Sequence, residues 1–181
     1  MLRQIETATD TALQLIGSSK KRSKVRALLR KIPAGKRILW VDDKHPKPAD
    51  LKIKTLELLG VFVVKARSNA EAKALFLSGN HFDLIISDIA RGYGRGDEGI
   101  ALPSILKGIA NVVPPFIFYV ANVQRRRYLD YPVISDPYNL IKRISKCLSP
   151  PSFIAWLSGR NKGRQQHNNF GTATSGSLVD F

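Results

Sequence analysis

Two short apolar runs, each ending in carboxylate, restrict what this chain can become: Arg37-Ile38-Leu39-Trp40-Val41-Asp42-Asp43 and Phe82-Asp83-Leu84-Ile85-Ile86-Ser87-Asp88. Neither alternates apolar with polar residues, so neither suits a strand with one wet face. Unbroken aliphatic runs of this length describe strands buried on both faces, as in a parallel sheet covered by helices on each side. In such a sheet the functional crevice lies beyond the carboxyl ends of the strands, which brings Asp42, Asp43 and Asp88 to one rim. A single Asp after a strand is ordinary. An adjacent pair on one strand and a third on another form a cluster of like charges, which normally needs a bound cation or a raised pKa to persist.

Helical patterns alternate with strand patterns along the rest of the chain. Leu2, Ile5, Ala12, Leu13 and Ile16 fall near one side of a first helix, which Gly17-Ser18-Ser19 breaks. Val25, Leu28, Leu29 and Ile32 repeat at helical spacing in a second, ended by Pro33-Ala34-Gly35. Together they make a basic amphipathic extension, residues 1–35, with three uses open: folding back on the remainder, pairing with another copy, or lying on an anionic surface. Its apolar stripe lacks Trp or Phe, which favours packing against protein over lipid.

After strand one (Arg37–Val41) comes a proline-containing loop, then a helix from Pro48 or Ala49 to Leu59, stopped by Gly60. Leu51, Ile53 or Lys54, Leu56 and Leu59 cover the sheet. Val61–Val64 is strand two, and Ser68 or Asn69 caps a helix that turns Ala70, Ala74, Leu75 and Leu77 inward. Strand three delivers Asp88. The glycine- and arginine-rich stretch from Ile89 to Glu98 reads as a mobile lid over the acids. A helix over Ile100–Ala110 and strand four over Pro115–Val120 follow, then a segment, Ala121 to Asp130, with room for only a short helix. Val133-Ile134 belongs to strand five, and Pro137 opens a last helix with Leu140, Ile141, Ile144 and Leu148 facing in. The prediction is an α/β doubly wound five-stranded parallel sheet, order 2-1-3-4-5, over residues 36–149. Residues 150–181 are a polar C-terminal segment, expected to be partly disordered.

At Trp40-Val41-Asp42-Asp43 and Ile86-Ser87-Asp88 the sequence resembles the receiver domain of two-component response regulators, from Lys36 to Leu148. The resemblance implies a flavodoxin-like receiver fold. It also implies Mg²⁺ held by Asp42, Asp43, Asp88 and the backbone carbonyl of Ala90, with Asp88 accepting a phosphoryl group from a sensor kinase. Two positions depart from the family. Where receivers have a Thr or Ser after strand four this chain has Val120, and where they have Lys before proline it has Asp136. A phosphoryl group on Asp88 then loses a hydrogen bond and an ion pair and meets an added negative charge. Each unit-charge contact near a protein surface is worth up to about 4 kcal/mol at 4 Å. These departures describe an atypical receiver, or pseudo-receiver, with a degenerate phosphorylation switch and with Asp136 available as a fourth carboxylate for a divalent cation.

Charge adds a second theme. The net charge is +15, and residues 1–37 hold ten Lys/Arg against two acids. No acid occurs from Thr11 to Val41, while Lys20, Lys21, Arg22, Lys24, Arg26, Arg30 and Lys31 crowd the helical extension. Such a block either attracts phosphate-rich partners such as nucleic acid or serves as a solvated face. Arg125-Arg126-Arg127 extends the theme.

Other classes are disfavoured. No run of 18 apolar residues exists to span a bilayer. The first sixteen residues carry Glu6 and Asp10 and lack a signal-peptide pattern, which places the protein in the cytoplasm. Cys147, the single cysteine, has no disulfide partner and no zinc-ligand neighbours. His45, His81 and His167 lack triad partners at suggestive spacing, and Gly92-Tyr93-Gly94-Arg95-Gly96 lacks the Lys-Ser/Thr of a P-loop. The function expected is a stand-alone atypical receiver in phosphorelay signal transduction, acting through protein–protein contacts, with no enzymatic role beyond autophosphotransfer to Asp88. The alternative is a nucleic-acid-binding protein that uses the basic helices on a receiver-like scaffold. Homodimerisation through those helices is a further reading.

Overall fold

Every residue of β1 (Arg37–Val41) after its first is apolar and buried, and the strand sits inside the sheet accordingly. The computed structural model describes residues 2–44, 50–91, 98–121 and 130–149. β2 (Phe62–Ala66), β3 (Leu84–Ser87), β4 (Phe116–Tyr119) and β5 (Val133–Ile134) complete an all-parallel sheet of order β2-β1-β3-β4-β5, as predicted. Alternate side chains of each strand feed two different cores. Ile38, Trp40, Leu84, Ile86 and Ile117 enter one, while Leu39, Val41, Ile85, Phe116 and Phe118 enter the other. α3 (Leu51–Leu58) and α6 (Pro137–Leu148) cover the first face with Ile53, Leu56, Leu140, Ile141, Ile144 and Leu148. α4 (Asn69–Leu77) and α5 (Glu98–Lys107) cover the second with Ala72, Leu102 and Leu106. This two-sided burial is why the strands read as unbroken apolar runs.

Helix starts follow side-chain caps. Asp50 accepts the Lys52 N–H, Ser68 the Glu71 N–H and Asp136 the Asn139 N–H. β3 starts at Leu84, two residues later than expected, because Asp83 is taken up otherwise. Its carboxylate accepts the Arg37 N–H at 2.8 Å and the Lys36 ammonium at 2.7 Å, tying the entrances of β1 and β3 together.

Of the three uses open to the N-terminal helices, the structure shows the first. α1 (Leu2–Ile16) packs on α3, and α2 (Arg22–Leu29), reached through a 3₁₀ turn at Ser19–Lys21, packs on α6. Ala8 and Ala12 of α1 and Val25, Leu29 and Ile32 are buried in the same core as Trp40. The apolar stripe is thereby covered within the chain. Glu6 and Asp10 hold the two helices together through Arg22 and Arg26.

Two inward faces differ from expectation. Ala12, Leu13 and Ile16 pack on the core as expected, but Leu2 is 71% exposed, and Ala8, Thr9 and Thr11 of α1 are buried as well. Small side chains let the backbones approach, and the buried threonine hydroxyls are satisfied by the carbonyls of Ile5 and Thr7. In α4, Asn69 and Ala72 are buried while Ala70 and Ala74 are exposed and Leu77 is 65% exposed. Asn69 accepts a hydrogen bond from Arg91 and donates one to the Glu98 carbonyl, and these set the rotation of that helix. The described residues lie in one compact unit, 1–149. Residues 92–97 of the expected lid, the 122–129 segment with its arginine triplet, and the C-terminal segment 150–181 lie outside the described residues.

Candidate functional site

The register of β1 and β3 builds the site. Val41 pairs with Ser87, so the residues that follow, Asp42 and Asp88, leave adjacent strands at the same level. The Asp42 N–H still bonds the Ala66 carbonyl and the Asp88 N–H the Val41 carbonyl, each at 2.9 Å, which fixes both backbones at the rim. Carboxylate oxygens of Asp42, Asp43 and Asp88 all lie within 4.8 Å of one another. Asp42 Oδ1 accepts the Lys44 N–H at 3.0 Å. Asp88 Oδ1 accepts the N–H of Ala90 at 3.3 Å, and Ala90 itself is exposed at the rim. Partial burial pushes the Asp88 carboxyl above its ordinary pKa, and the charge of Asp42 pushes the same way. Opposing them are the N–H groups of Ala90 and Ile89 and the Lys44 ammonium.

Behind the acids lies a residue the sequence did not single out. Arg91, placed by composition in a mobile loop, is only 2% exposed. Its Nη2 donates to Asn69 Oδ1 at 2.6 Å, and Asn69 Nδ2 donates to the Glu98 carbonyl at 2.8 Å, linking the segment after β3 to the starts of α4 and α5. Nε and Nη1 have no hydrogen-bond partner among the described residues. Burial draws the guanidinium pKa down, and the carboxylates of Glu98, Asp88, Asp43 and Asp42 draw it back up. The acidic rim thus has a buried cation among its neighbours. Gly99 is the second missed residue. A Cβ there would sit 2.1 Å from the Asp88 carbonyl oxygen and 2.7 Å from Ile89 Cα, and the Gly99 N–H bonds the Ile89 carbonyl at 3.0 Å. Only a glycine lets the first turn of α5 close against the site. A lone Arg and a lone Gly inside a Gly/Arg-rich stretch carry no signal that separates them from solvated loop residues.

No family model matches the sequence, and no curated protein is detectably similar to it. Solved structures are. The receiver domain of Francisella response regulator 1452 is 24% identical, with a TM-score of 0.50, covering 63% of this chain and 97% of that one. The response regulator PhyR from Brucella abortus is 21% identical, with a TM-score of 0.56, over 88% of this chain and 72% of that one. The anti-anti-sigma factor PhyR from Bartonella quintana is 18% identical, with a TM-score of 0.52, over 88% of this chain and 70% of that one. The chain has the receiver fold.

Against that receiver frame the two altered positions take definite places. Val120 is buried in the core with Phe118 and Ile89, its N–H bonded to the Ile134 carbonyl at 2.9 Å, and it offers the rim no hydroxyl. Asp136 does not join the acidic cluster as a fourth carboxylate. Its two oxygens accept the Asn139 N–H at 2.8 Å and the Asn139 side-chain amide at 2.6 Å, capping α6. Among the described residues the rim therefore gathers three carboxylates. The expected basic patch divides as well: Arg22 and Arg26 are paired to α1, while Lys20, Lys21, Lys24, Arg30 and Lys31 are exposed and make no ion pair among the described residues. Among the described residues no helix is long and apolar enough to cross a membrane.

Proposed function

We propose that the chain is a receiver-like signalling module whose rim holds a divalent cation and whose phosphorylation switch is degenerate. The observation that carries this reading is the convergence of Asp42, Asp43 and Asp88 within 4.8 Å. An all-oxygen, three-carboxylate donor set suits Mg²⁺, which takes oxygen ligands and keeps several waters. The donor chemistry fits, with the Ala90 carbonyl as a further ligand. When bound, the ion offsets the mutual repulsion of the carboxylates and screens the oxygens of an incoming phosphoryl group. Asp88 is the phosphoacceptor candidate: its carboxylate is half-buried beside Asp42 and Asp43, and a carboxylate can serve as a nucleophile once a bound cation offsets its neighbours' charge.

The pseudo-receiver character rests on Val120 and Asp136. A phosphoryl group on Asp88 meets no hydroxyl at 120, and the side chain at 136 is an anion already used to cap α6. Signalling then proceeds through contacts with other proteins, a sensor kinase upstream among them. Proteins of similar fold include response regulators and an anti-anti-sigma factor, which supports a signalling partner, and a cytoplasmic setting goes with this reading.

Calorimetric titration with Mg²⁺ tests the site. The expected result is one saturable binding event in the parent chain, lost or weakened at least about tenfold in Asp88→Asn, because a removed ligand charge costs on the order of 1 kcal/mol or more. No heat in the parent chain sinks the cation reading. Incubation with a small phosphodonor and Mg²⁺, read by intact mass, then decides whether Asp88 accepts a phosphoryl group.

A further inference from the structure

α2 and α6 form a side-by-side pair whose outer surface has a single sign of charge. The Lys21 ammonium lies 4.5 Å from the ring centroid of Tyr138, at the start of α6, and the Ser149 hydroxyl donates to the Lys31 carbonyl at the other end. The helices therefore run parallel, sealed beneath by Val25, Leu29, Ile141, Ile144 and Leu148. Arg22 and Arg26 of α2 pair with the acids of α1, whereas Lys24 of α2 and Lys31, two residues past its end, are exposed and, among the described residues, unpaired. On α6, Lys142 and Lys146 stand four and eight residues beyond Tyr138, in the same column, and both are exposed. No acid occurs in residues 18–35 or 137–149. Among the described residues Lys24, Lys31, Lys142 and Lys146 make no ion pair.

We infer that this lysine ridge is a binding surface for the sugar-phosphate backbone of a nucleic acid duplex, separate from the acidic rim and independent of what that rim binds. Three features select the ligand. From Lys21 to Lys31 the ridge runs about 15 Å, at roughly 1.5 Å per residue, long enough to meet several phosphates. A protein partner needs an apolar anchor within a polar surround. Among the described residues the large exposed apolar side chains, Leu2, Phe62, Leu77 and Val112, all belong to other segments. An anionic membrane surface likewise asks for apolar side chains to insert, and among its described residues the ridge presents no large exposed one. The contacts are lysine ammonium groups on helices packed flat against the domain, so they meet phosphate and do not read base edges. The site differs from the one the charge run alone suggests, because Arg22 and Arg26 are spent on α1 and α6 supplies two of its lysines.

The test is fluorescence anisotropy of a labelled duplex with the full chain across a salt series. Four to five lysine–phosphate contacts give a log–log slope of about −4, a loss of roughly 10²-fold between about 50 and 200 mM salt. The variant Lys24→Glu/Lys142→Glu/Lys146→Glu is compared with Lys54→Glu/Lys65→Glu/Lys73→Glu, three exposed lysines elsewhere; each lowers the net charge by six, to +9. The ridge variant is expected to lose at least about tenfold in affinity, the control less than about threefold. Equal losses in the two variants, no binding of the parent chain at low salt, or binding to phosphatidylserine vesicles without affinity for the duplex would each overturn the assignment.

Discussion

Asp88 and Gly99 show how much of the site is set by single residues. Burial holds the Asp88 carboxyl above its ordinary value of 3.8, with Asp42 adding to the shift. A carboxyl whose pKa is raised by folding binds its proton more tightly in the native chain. Its contribution to stability is full below 3.8 and is lost as pH rises through the folded value. Asp88→Asn removes the charge and is expected to raise the melting temperature at pH 7. The gain should vanish below about pH 4, where both forms are neutral, as thermal unfolding at the two pH values without divalent cation will show. Gly99→Ala acts through sterics. Its Cβ meets backbone atoms at 2.1 and 2.7 Å, which cannot rotate away. The expected cost is about 1–3 kcal/mol by denaturant titration, with Mg²⁺ affinity lowered because the displaced backbone is that of Asp88 and Ile89.

At the scale of elements, the N-terminal helices act as part of the core. Leu29 is 1% exposed and shares a cluster with Ile32, Leu140 and Trp40. Leu29→Ala should therefore cost about 2–5 kcal/mol, whereas the same change in a free amphipathic extension costs almost nothing. Asp136→Ala should cost about 1 kcal/mol and fray α6, while Asp136→Asn, which caps equally well, should cost little. Circular dichroism melts separate the two. Element identity was legible in the sequence wherever burial is two-sided or a cap is strong: β1, β3 and the inward face of α6 follow directly from their apolar runs and from Pro137. The docking of α1 and α2 was not, because an amphipathic stripe records only that something covers it. The face of α4 was misread for a related reason. Leu75 packs on the core as its spacing suggests, but Ala70, Ala74 and Leu77 do not, because Asn69, which accepts from Arg91 and donates to the Glu98 carbonyl, residues distant in sequence, sets the rotation. Arg91 itself was hidden by a glycine-rich setting that reads as solvent-facing.

At the scale of the whole molecule, the question is whether an event at the β1/β3 rim reaches β5 and α6. A ligand shifts a distant element only if that element has two arrangements the ligand distinguishes. In receivers the hydroxyl that swings toward the phosphoryl group supplies one such pair of states. Here the corresponding side chain is Val120, buried among apolar neighbours with its N–H bonded to Ile134. The next candidate, Asp136, is held by two hydrogen bonds to Asn139. α6 is restrained further by α2 along its length, from Tyr138 to Ser149. On the proposed reading, the side of the molecule that would carry a response is held at its origin by the packing of Val120 and at its destination by the contacts of α6. Hydrogen exchange at saturating Mg²⁺ should show protection confined to residues 42–44 and 88–91, with exchange in β5 and α6 unchanged. Altered protection in α6 would mean that a route other than position 120 couples the rim to that face, and the segment from Arg91 through Asn69 to Glu98 is then the first to test, by Asn69→Ala.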